Sequence, residues 1–196
     1  LVGLRRIAAG LAREGIAVLR FDFTGLGASD GEFASTNFST NIEDLHAAVE
    51  FMRANFQAPQ LMIGHSLGGA AVLATAGQVE EVTAVVTIGA PSDAEHVLKN
   101  FHADLRDIEQ SGRARVDLHG REFTITRQFL DDVREHELSS AISNLRKPLL
   151  IMHAPGDEIV GIDSATAIFM AARHPKSFVS LDTADHLLTD EADARF

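Results

Sequence analysis

One short segment is the most informative part of this chain: Leu61-Met62-Ile63-Gly64-His65-Ser66-Leu67-Gly68-Gly69-Ala70. Its central serine follows an apolar run that favours a β-strand and precedes small residues that favour a helix. A nucleophile on such a strand-to-helix turn has a strained backbone, so Gly64 and Gly68 are expected to leave space that a Cβ would fill. The pattern therefore predicts a nucleophile at Ser66, although an ordinary glycine-rich turn would give the same pattern.

Strand-like and helix-like segments alternate on both sides of this turn. The β-prone runs are residues 16–23, 61–64, 82–89, 148–153 and 177–181. Helical spacing of apolar residues, or small-residue composition, predicts helices over 1–14, 40–52, 67–77 and 164–173, the second starting at a capping box on Thr40. Residues 82–89 are apolar nearly throughout, as in a strand covered on both faces. We therefore expect an α/β fold with a mostly parallel sheet and helices on both faces.

Residues 93–146 break this alternation. Within them, 116–125 alternates around a His-Gly pair like a hairpin, and a helix-like segment follows at 129–136. We predict an inserted lid of helices and a hairpin, although a surface excursion that never contacts substrate has the same pattern. Three apolar residues could line an acyl pocket there or form the lid's own core: Phe123, Phe129 and Leu130.

Length and composition limit the possible functions. The 196 residues fit a single domain over 1–196, and 28 acidic against 17 basic residues give a formal charge of −11. That charge argues against a nucleic-acid or anionic-membrane partner. The chain contains no cysteine, which excludes thiol nucleophiles and thiolate metal sites within it. No apolar run approaches the roughly 20 residues that cross a bilayer, and we expect a cytoplasmic location.

A serine nucleophile needs a histidine base, and the base needs a carboxylate to orient it. In open α/β sheets these groups lie in loops just past the carboxyl ends of strands. Asp157 follows the apolar strand at 148–153, and His186 follows the last predicted strand. The order Ser66, Asp157, His186 is the order found in α/β-hydrolases.

Four motifs carry a wider resemblance: Gly64-His65-Ser66-Leu67-Gly68-Gly69, Arg20-Phe21-Asp22-Phe23-Thr24-Gly25-Leu26-Gly27-Ala28-Ser29, His153-Ala154-Pro155-Gly156-Asp157 and Ala184-Asp185-His186. Through them the chain resembles the α/β-hydrolase superfamily from residue 20 to residue 186. The resemblance implies a serine hydrolase that cleaves an ester or other acyl bond of a small molecule through an acyl-enzyme. Ser66 would be the nucleophile, His186 the base and Asp157 its orienting acid, while the Leu67 amide would stand in the oxyanion hole.

Within that superfamily the chain looks most like the hydrolase portion of bacterial proteins in which an OsmC-like domain follows. That resemblance implies a redox-active cysteine domain beyond Phe196. It also leaves open a non-catalytic scaffold for such a domain. A further alternative keeps the triad for cofactor-free perhydrolysis or another non-acyl substrate.

The resemblance also implies parts that precede Leu1. The family's second oxyanion donor comes from the loop after its third strand, and that strand lies between those corresponding to residues 16–23 and 61–64. We therefore expect the polypeptide to extend upstream of Leu1 and to be truncated at its end as well.

Other polar residues are given structural roles. We expect His65 to be a buried, hydrogen-bonded histidine, His153 to support the loop of Asp157, Asp185 to shape its own loop, and Asp163 to start a helix. The remaining histidines, at positions 46, 96, 102, 119, 136 and 174, are expected in solvated or core roles. No pair of them has metal-site spacing, so neither a metal nor a cofactor is predicted.

Overall fold

The computed structural model describes residues 2–101, 105–117 and 122–195. In chain order its strands are β1 (Leu61–His65), β2 (Ala84–Ile88), β3 (Arg113–Asp117), β4 (Glu122–Thr126), β5 (Leu149–His153) and β6 (Lys176–Ser180). Its α-helices are α1 (Val2–Arg13), α2 (Phe38–Asn55), α3 (Leu67–Thr75), α4 (Leu105–Ser111), α5 (Arg127–Glu135), α6 (Leu138–Asn144), α7 (Ile162–Ala171) and α8 (Glu191–Arg195). Short 3₁₀ helices lie at Phe33–Ser35, Ala76–Gln78 and Ala94–Phe101. Among these residues no helix has the length and apolar character needed to cross a membrane.

Four strands form one parallel sheet in the spatial order β1-β2-β5-β6. Alternate side chains point to opposite faces, so Val85 packs with α3 in the main core whereas Val86 packs in a second, smaller core. Ile7 of α1 and Ala194 of α8 belong to that second core. The predicted α/β fold, with a parallel sheet covered on both faces, is confirmed.

The strand predicted over residues 16–23 is wrong. Among the described residues none forms a β-ladder with this segment, and its apolar side chains Ile16, Val18, Leu19 and Phe21 are exposed. These residues line a groove of about 750 Å³ whose other walls come from α1, α2 and β1. β-prone composition sets only a local preference, whereas a strand also needs a neighbour to take up its backbone hydrogen bonds.

The start of α2 also differs from the prediction. Asn37, not Thr40, is the N-cap: its side chain accepts a hydrogen bond from the Thr40 N–H at 2.9 Å. The Thr40 hydroxyl lies 2.9 Å from the Asn37 N–H, which completes the capping box three residues earlier than expected. Phe38, the first helical residue, is fully buried and fixes the helix on the core.

The region predicted as an insertion contains α4, the antiparallel β3–β4 hairpin, α5 and α6. The predicted His-Gly turn of that hairpin lies outside the described residues. Several side chains of the whole region are completely buried in the same core as the sheet: Ile108, Ile125, Leu130 and Ile142. Leu130 and the buried Phe129 are therefore core residues rather than walls of an open pocket, because their surfaces are already covered. Phe123 is only partly buried, with its ring 4.7 Å from that of Phe33.

Candidate active site

Ser66 lies on a sharp turn between β1 and α3. Its backbone has φ +53° and ψ −132°, a conformation that few residues other than glycine adopt. The turn is held by the Ser66 N–H, which donates to the Ile88 carbonyl at 2.9 Å, and by the Ser66 carbonyl, which accepts from the Gly69 N–H at 2.8 Å. Strain maintained by surrounding hydrogen bonds is typical of functional turns.

Two glycines make this turn sterically possible, and they differ in part from those predicted. A Cβ on Gly64 would lie 2.6 Å from the Cα of Gly69, and one on Gly69 would lie 2.6 Å from the Cβ of Ala90. A Cβ on Gly68 would meet only a Phe23 ring carbon at 3.6 Å, an ordinary contact. Gly64 therefore meets the expectation, but the close approach on the helix side is at Gly69, one residue later than predicted.

The structure brings Ser66, His186 and Asp157 together at the carboxyl ends of the strands. His186 Nε2 lies 2.9 Å from Ser66 Oγ, and His186 Nδ1 lies 2.7 Å from Asp157 Oδ2. Because the carboxylate accepts the Nδ1–H, the neutral imidazole presents an unprotonated Nε2 to the hydroxyl of Ser66. This arrangement can remove the hydroxyl proton as the oxygen attacks.

Asp157 is buried but well supplied with donors. Its Oδ1 accepts the N–H groups of Ile159 and Val160, each at 2.9 Å, while Oδ2 accepts from His186. Burial by itself raises the pKa of Asp157, but the hydrogen bonds from His186, Val160 and Ile159 outweigh it and hold that pKa below the usual range. The carboxylate is therefore ionised at neutral pH.

The candidate oxyanion donor is the N–H of Leu67, the residue that follows Ser66. Leu67 is the first residue of α3, and the first four N–H groups of a helix have no acceptor within it. Such an amide can bind an oxyanion, and the helix dipole favours negative charge at this end.

The supporting residues largely occupy the positions expected of them. His153 Nε2 donates to the Val160 carbonyl at 2.7 Å, inside the loop of Asp157. Asp185 accepts the Thr189 N–H at 2.8 Å and the hydroxyl of the same residue, so it shapes the loop of His186. Asp163 lies in the first turn of α7.

Gly89 was not anticipated as a site residue. It follows β2 with φ +53°, and a Cβ there would lie 3.3 Å from Asp157 Oδ2 and 3.4 Å from His186 Nδ1. Its place beneath the carboxylate–imidazole pair depends on three separate strands, so no local pattern indicates it.

Two further histidines contact the loops of this site. His65 is buried and its Nε2 lies 2.5 Å from the carbonyl oxygen of His186, while His96 Nε2 lies 3.2 Å from the carbonyl oxygen of Ile159. His65 was expected to be buried and hydrogen-bonded, but its partner was not foreseen. Since a carbonyl only accepts, Nε2 of each ring carries the proton.

Two more of the described histidines have the roles expected of them, since His136 packs on Phe38 and His174 is exposed. The expectations for positions 102 and 119 lie outside the described residues. Among the described residues, no group of three or more His, Asp or Glu side chains has a geometry suited to a metal ion.

Comparisons with known proteins show the family and the fold of this chain. A family described as serine aminopeptidase, S33, matches residues 3–114. The esterase domain of a Rhodothermus marinus protein is 50% identical; the chain superimposes over 99% of its own length and 75% of that domain, with a TM-score of 0.78.

Mammalian relatives are more distant. The mouse palmitoyl-protein thioesterase ABHD10, mitochondrial, is 27% identical over 189 residues, which cover 91% of this chain. The chain spans only 62% of the length of that curated relative. A solved structure of mouse alpha/beta hydrolase domain-containing protein 10 is 23% identical and has a TM-score of 0.81 over 99% of this chain and 79% of its own length, a likeness of fold.

Proposed function

Because this chain belongs to the serine aminopeptidase S33 family of the α/β-hydrolase superfamily, we propose that it is a serine hydrolase that cleaves an ester or other acyl bond of a small molecule. The observation that carries the proposal is the position of His186, whose two ring nitrogens lie within hydrogen-bond distance of Ser66 Oγ and Asp157 Oδ2.

In the first half-reaction, Ser66 Oγ attacks the carbonyl carbon of the substrate as His186 Nε2 takes the hydroxyl proton. The ionised Asp157 stabilises the imidazolium that forms. The Leu67 N–H donates to the oxyanion of the tetrahedral intermediate. His186 then returns the proton to the departing alkoxide, which leaves as the alcohol, and the acyl group remains esterified to Ser66.

In the second half-reaction, a water molecule replaces the alcohol. His186 takes a proton from this water while the water oxygen attacks the acyl carbon, and the same proton returns to Ser66 Oγ as the acyl–serine bond breaks. The carboxylic acid is released and the enzyme returns to its starting state.

Esters are the first substrate class to test. The relative with 50% identity is an esterase domain. The mammalian relatives named as palmitoyl-protein thioesterases make acyl thioesters the second class, because the same two half-reactions cleave a thioester with a thiolate as leaving group. Parallel assays with p-nitrophenyl acetate and an S-acyl thiol rank the two.

A fluorophosphonate probe tests the proposal directly, because it phosphonylates a serine only where a base activates it. The wild-type protein should be labelled at Ser66, and Ser66→Ala should abolish the label. Ser39→Ala, which removes a serine whose hydroxyl bonds to Asp132 and His136, is the matched control and should be labelled like the wild type. Folded wild-type protein that stays unlabelled would overturn the proposed hydrolase activity and favour the non-catalytic scaffold.

Two further proposals go beyond the site itself. We place the protein in the cytoplasm on its acidic charge, whereas the mouse relative is named as mitochondrial, so cell fractionation separates the two locations. A following OsmC-like domain stays a prediction, tested by sequencing the gene beyond Phe196.

A further inference from the structure

His65 connects the two sides of the active site. It is the last residue of β1, directly before Ser66, and its Nε2 lies 2.5 Å from the backbone carbonyl oxygen of His186. β1 and β6 are the outer strands of the four-stranded sheet, and His186 belongs to the segment after β6. That segment must cross the carboxyl ends of β5 and β2 before its imidazole reaches Ser66.

His186 is therefore far from Ser66 in sequence, and its loop begins at the opposite edge of the sheet. Asp157 accepts a hydrogen bond from Nδ1 of the His186 imidazole ring. Among the described residues, Asp157 makes no hydrogen bond to the backbone of His186. His65 contacts that backbone instead, from the strand that carries the nucleophile. The two contacts fix different parts of the same residue.

His65 can do this without adding charge beside the base. Burial lowers the pKa of His65 to about 4, and the bond to the His186 carbonyl offsets only part of that effect. The ring is thus neutral at pH 7, with its centroid 4.9 Å from that of His186. The other titratable groups here are Asp157, on Nδ1 of His186, and His153, whose Nε2 lies 3.8 Å from Asp157 Oδ2. A second cation at that distance would oppose formation of the His186 imidazolium.

We propose that His65 is a positioning residue for the base, His186. The hydrogen bond from His65 Nε2–H to the carbonyl oxygen of His186 holds the loop after β6 against β1, and so keeps the imidazole of His186 within reach of Ser66. The role rests on the proposed serine-hydrolase function. Displacement of a catalytic group by about 1 Å costs roughly 100-fold in rate, so loss of this bond is expected to slow the reaction of Ser66 by roughly 10- to 100-fold.

The test compares replacements of His65 that differ in donor and reach. His65→Gln places an amide N–H near the position of Nε2, His65→Asn carries the same amide one methylene short, and His65→Leu fills space without a donor. Each full-length variant is titrated with a fluorophosphonate, which gives both the fraction of molecules labelled and the labelling rate of that fraction. The exposed His174→Gln is the matched control.

A positioning role predicts near-complete labelling of every folded variant, at a rate 10- to 100-fold slower in His65→Leu and His65→Asn and restored to within about threefold of wild type in His65→Gln. A purely structural role predicts a smaller labelled fraction that reacts at the wild-type rate, and that result would overturn the proposal. If His65→Leu does not fold, the Asn and Gln pair decides alone, and equal rates in that pair would also overturn it. Wild-type protein without label at Ser66 would instead overturn the proposed function, and this role with it.

Discussion

Among the described residues, two clusters that each contain a serine, a histidine and an aspartate differ in the order of their hydrogen bonds. At the sheet edge the order is Ser66, His186, Asp157, with the imidazole in the middle. Its Nδ1–H is donated to the carboxylate, so Nε2 is left to accept the proton of Ser66.

In the second cluster the serine stands in the middle. Ser39 Oγ lies 2.5 Å from Asp132 Oδ1 and 2.9 Å from His136 Nε2, and its N–H donates to Asp132 Oδ2 at 2.9 Å. Because the hydroxyl gives its proton to the carboxylate, its oxygen must accept the Nε2–H of His136. An imidazole that donates to a serine cannot act as its base.

The second cluster instead joins two parts of the fold. Ser39 lies in the first turn of α2, whereas Asp132 and His136 come from α5 and the residue that follows it. Asp132 also places negative charge at the N-terminus of α2, where the helix dipole favours it. The same three residue types therefore form the proposed catalytic triad in one place and join α2 to α5 in the other, and the order of donors separates the two.

The largest contrast is expected from the two histidines. His186→Gln removes the proposed base, so hydrolysis of p-nitrophenyl acetate should fall by about 10⁴-fold or more. His136→Gln keeps an amide donor near the position of Nε2 and should leave the rate per folded molecule within about twofold of wild type. Steady-state rates normalised to the folded fraction measure both variants. A comparable loss of rate in the two would contradict the distinction between the catalytic cluster and the Ser39 cluster.

The two aspartates should differ next. Asp157→Asn presents an amide to His186 and favours the wrong tautomer, so kcat should fall by about 10³- to 10⁴-fold. Asp132→Asn should leave kcat nearly unchanged and lower the free energy of unfolding by about 1–3 kcal/mol, because two Ser39 donors lose a charged acceptor. Urea unfolding together with initial rates tests the pair, and unaltered stability of Asp132→Asn would count against its anchoring role.

The triad residues could be named from sequence because each has a local signal. Ser66 lies in a short glycine motif, and Asp157 and His186 each follow an apolar run that becomes a parallel strand. Parallel strands bring the loops at their carboxyl ends to one edge, so the sequence order of these loops was enough to group them.

Contacts made across the chain left no such signal. His65 and His186 are 121 residues apart, and Ser39 and Asp132 are 93 apart. Residues 16–23 show the converse limit: β-branched and aromatic residues favour extended backbone, but the ladder needs a partner that composition does not reveal. Sequence patterns thus predicted most of the elements and the sheet edge, whereas tertiary packing selected the strand pairing and the hydrogen-bond partners.

Acid is expected to lower the free energy of unfolding through His65. Its folded pKa of about 4 lies below the ordinary 6.5, so between these values the unfolded chain binds a proton that the folded chain does not. The free energy of unfolding therefore falls as pH drops, by about 2 kcal/mol from this group between pH 7 and pH 5. Asp157 contributes at lower pH than His65. Because its folded pKa lies below the ordinary value of 3.8, its contribution to the free energy of unfolding is complete above 3.8 and is lost as pH falls through the folded value.

Urea unfolding at pH 7 and pH 5 measures this effect. His65→Gln lacks the titrating ring, so it should lose about 2 kcal/mol less than wild type over that interval. Ser39→Ala keeps His65 and should lose as much as the wild type does. Equal losses in all three proteins would contradict a neutral, buried His65.

The smallest expected effect is that of Ser39→Ala itself. The change removes one hydroxyl and its bonds to Asp132 and His136, while the Ser39 backbone N–H still donates to Asp132. Retention of that bond limits the loss to about 1 kcal/mol, or about 2–4 °C in Tm for a chain of this size. Differential scanning calorimetry with a parallel ester assay checks it. Unchanged kcat with this small loss is the result that a serine serving only as a bridge must give, whereas a fall in kcat would mean that the attachment of α5 to α2 also sets the geometry around Ser66.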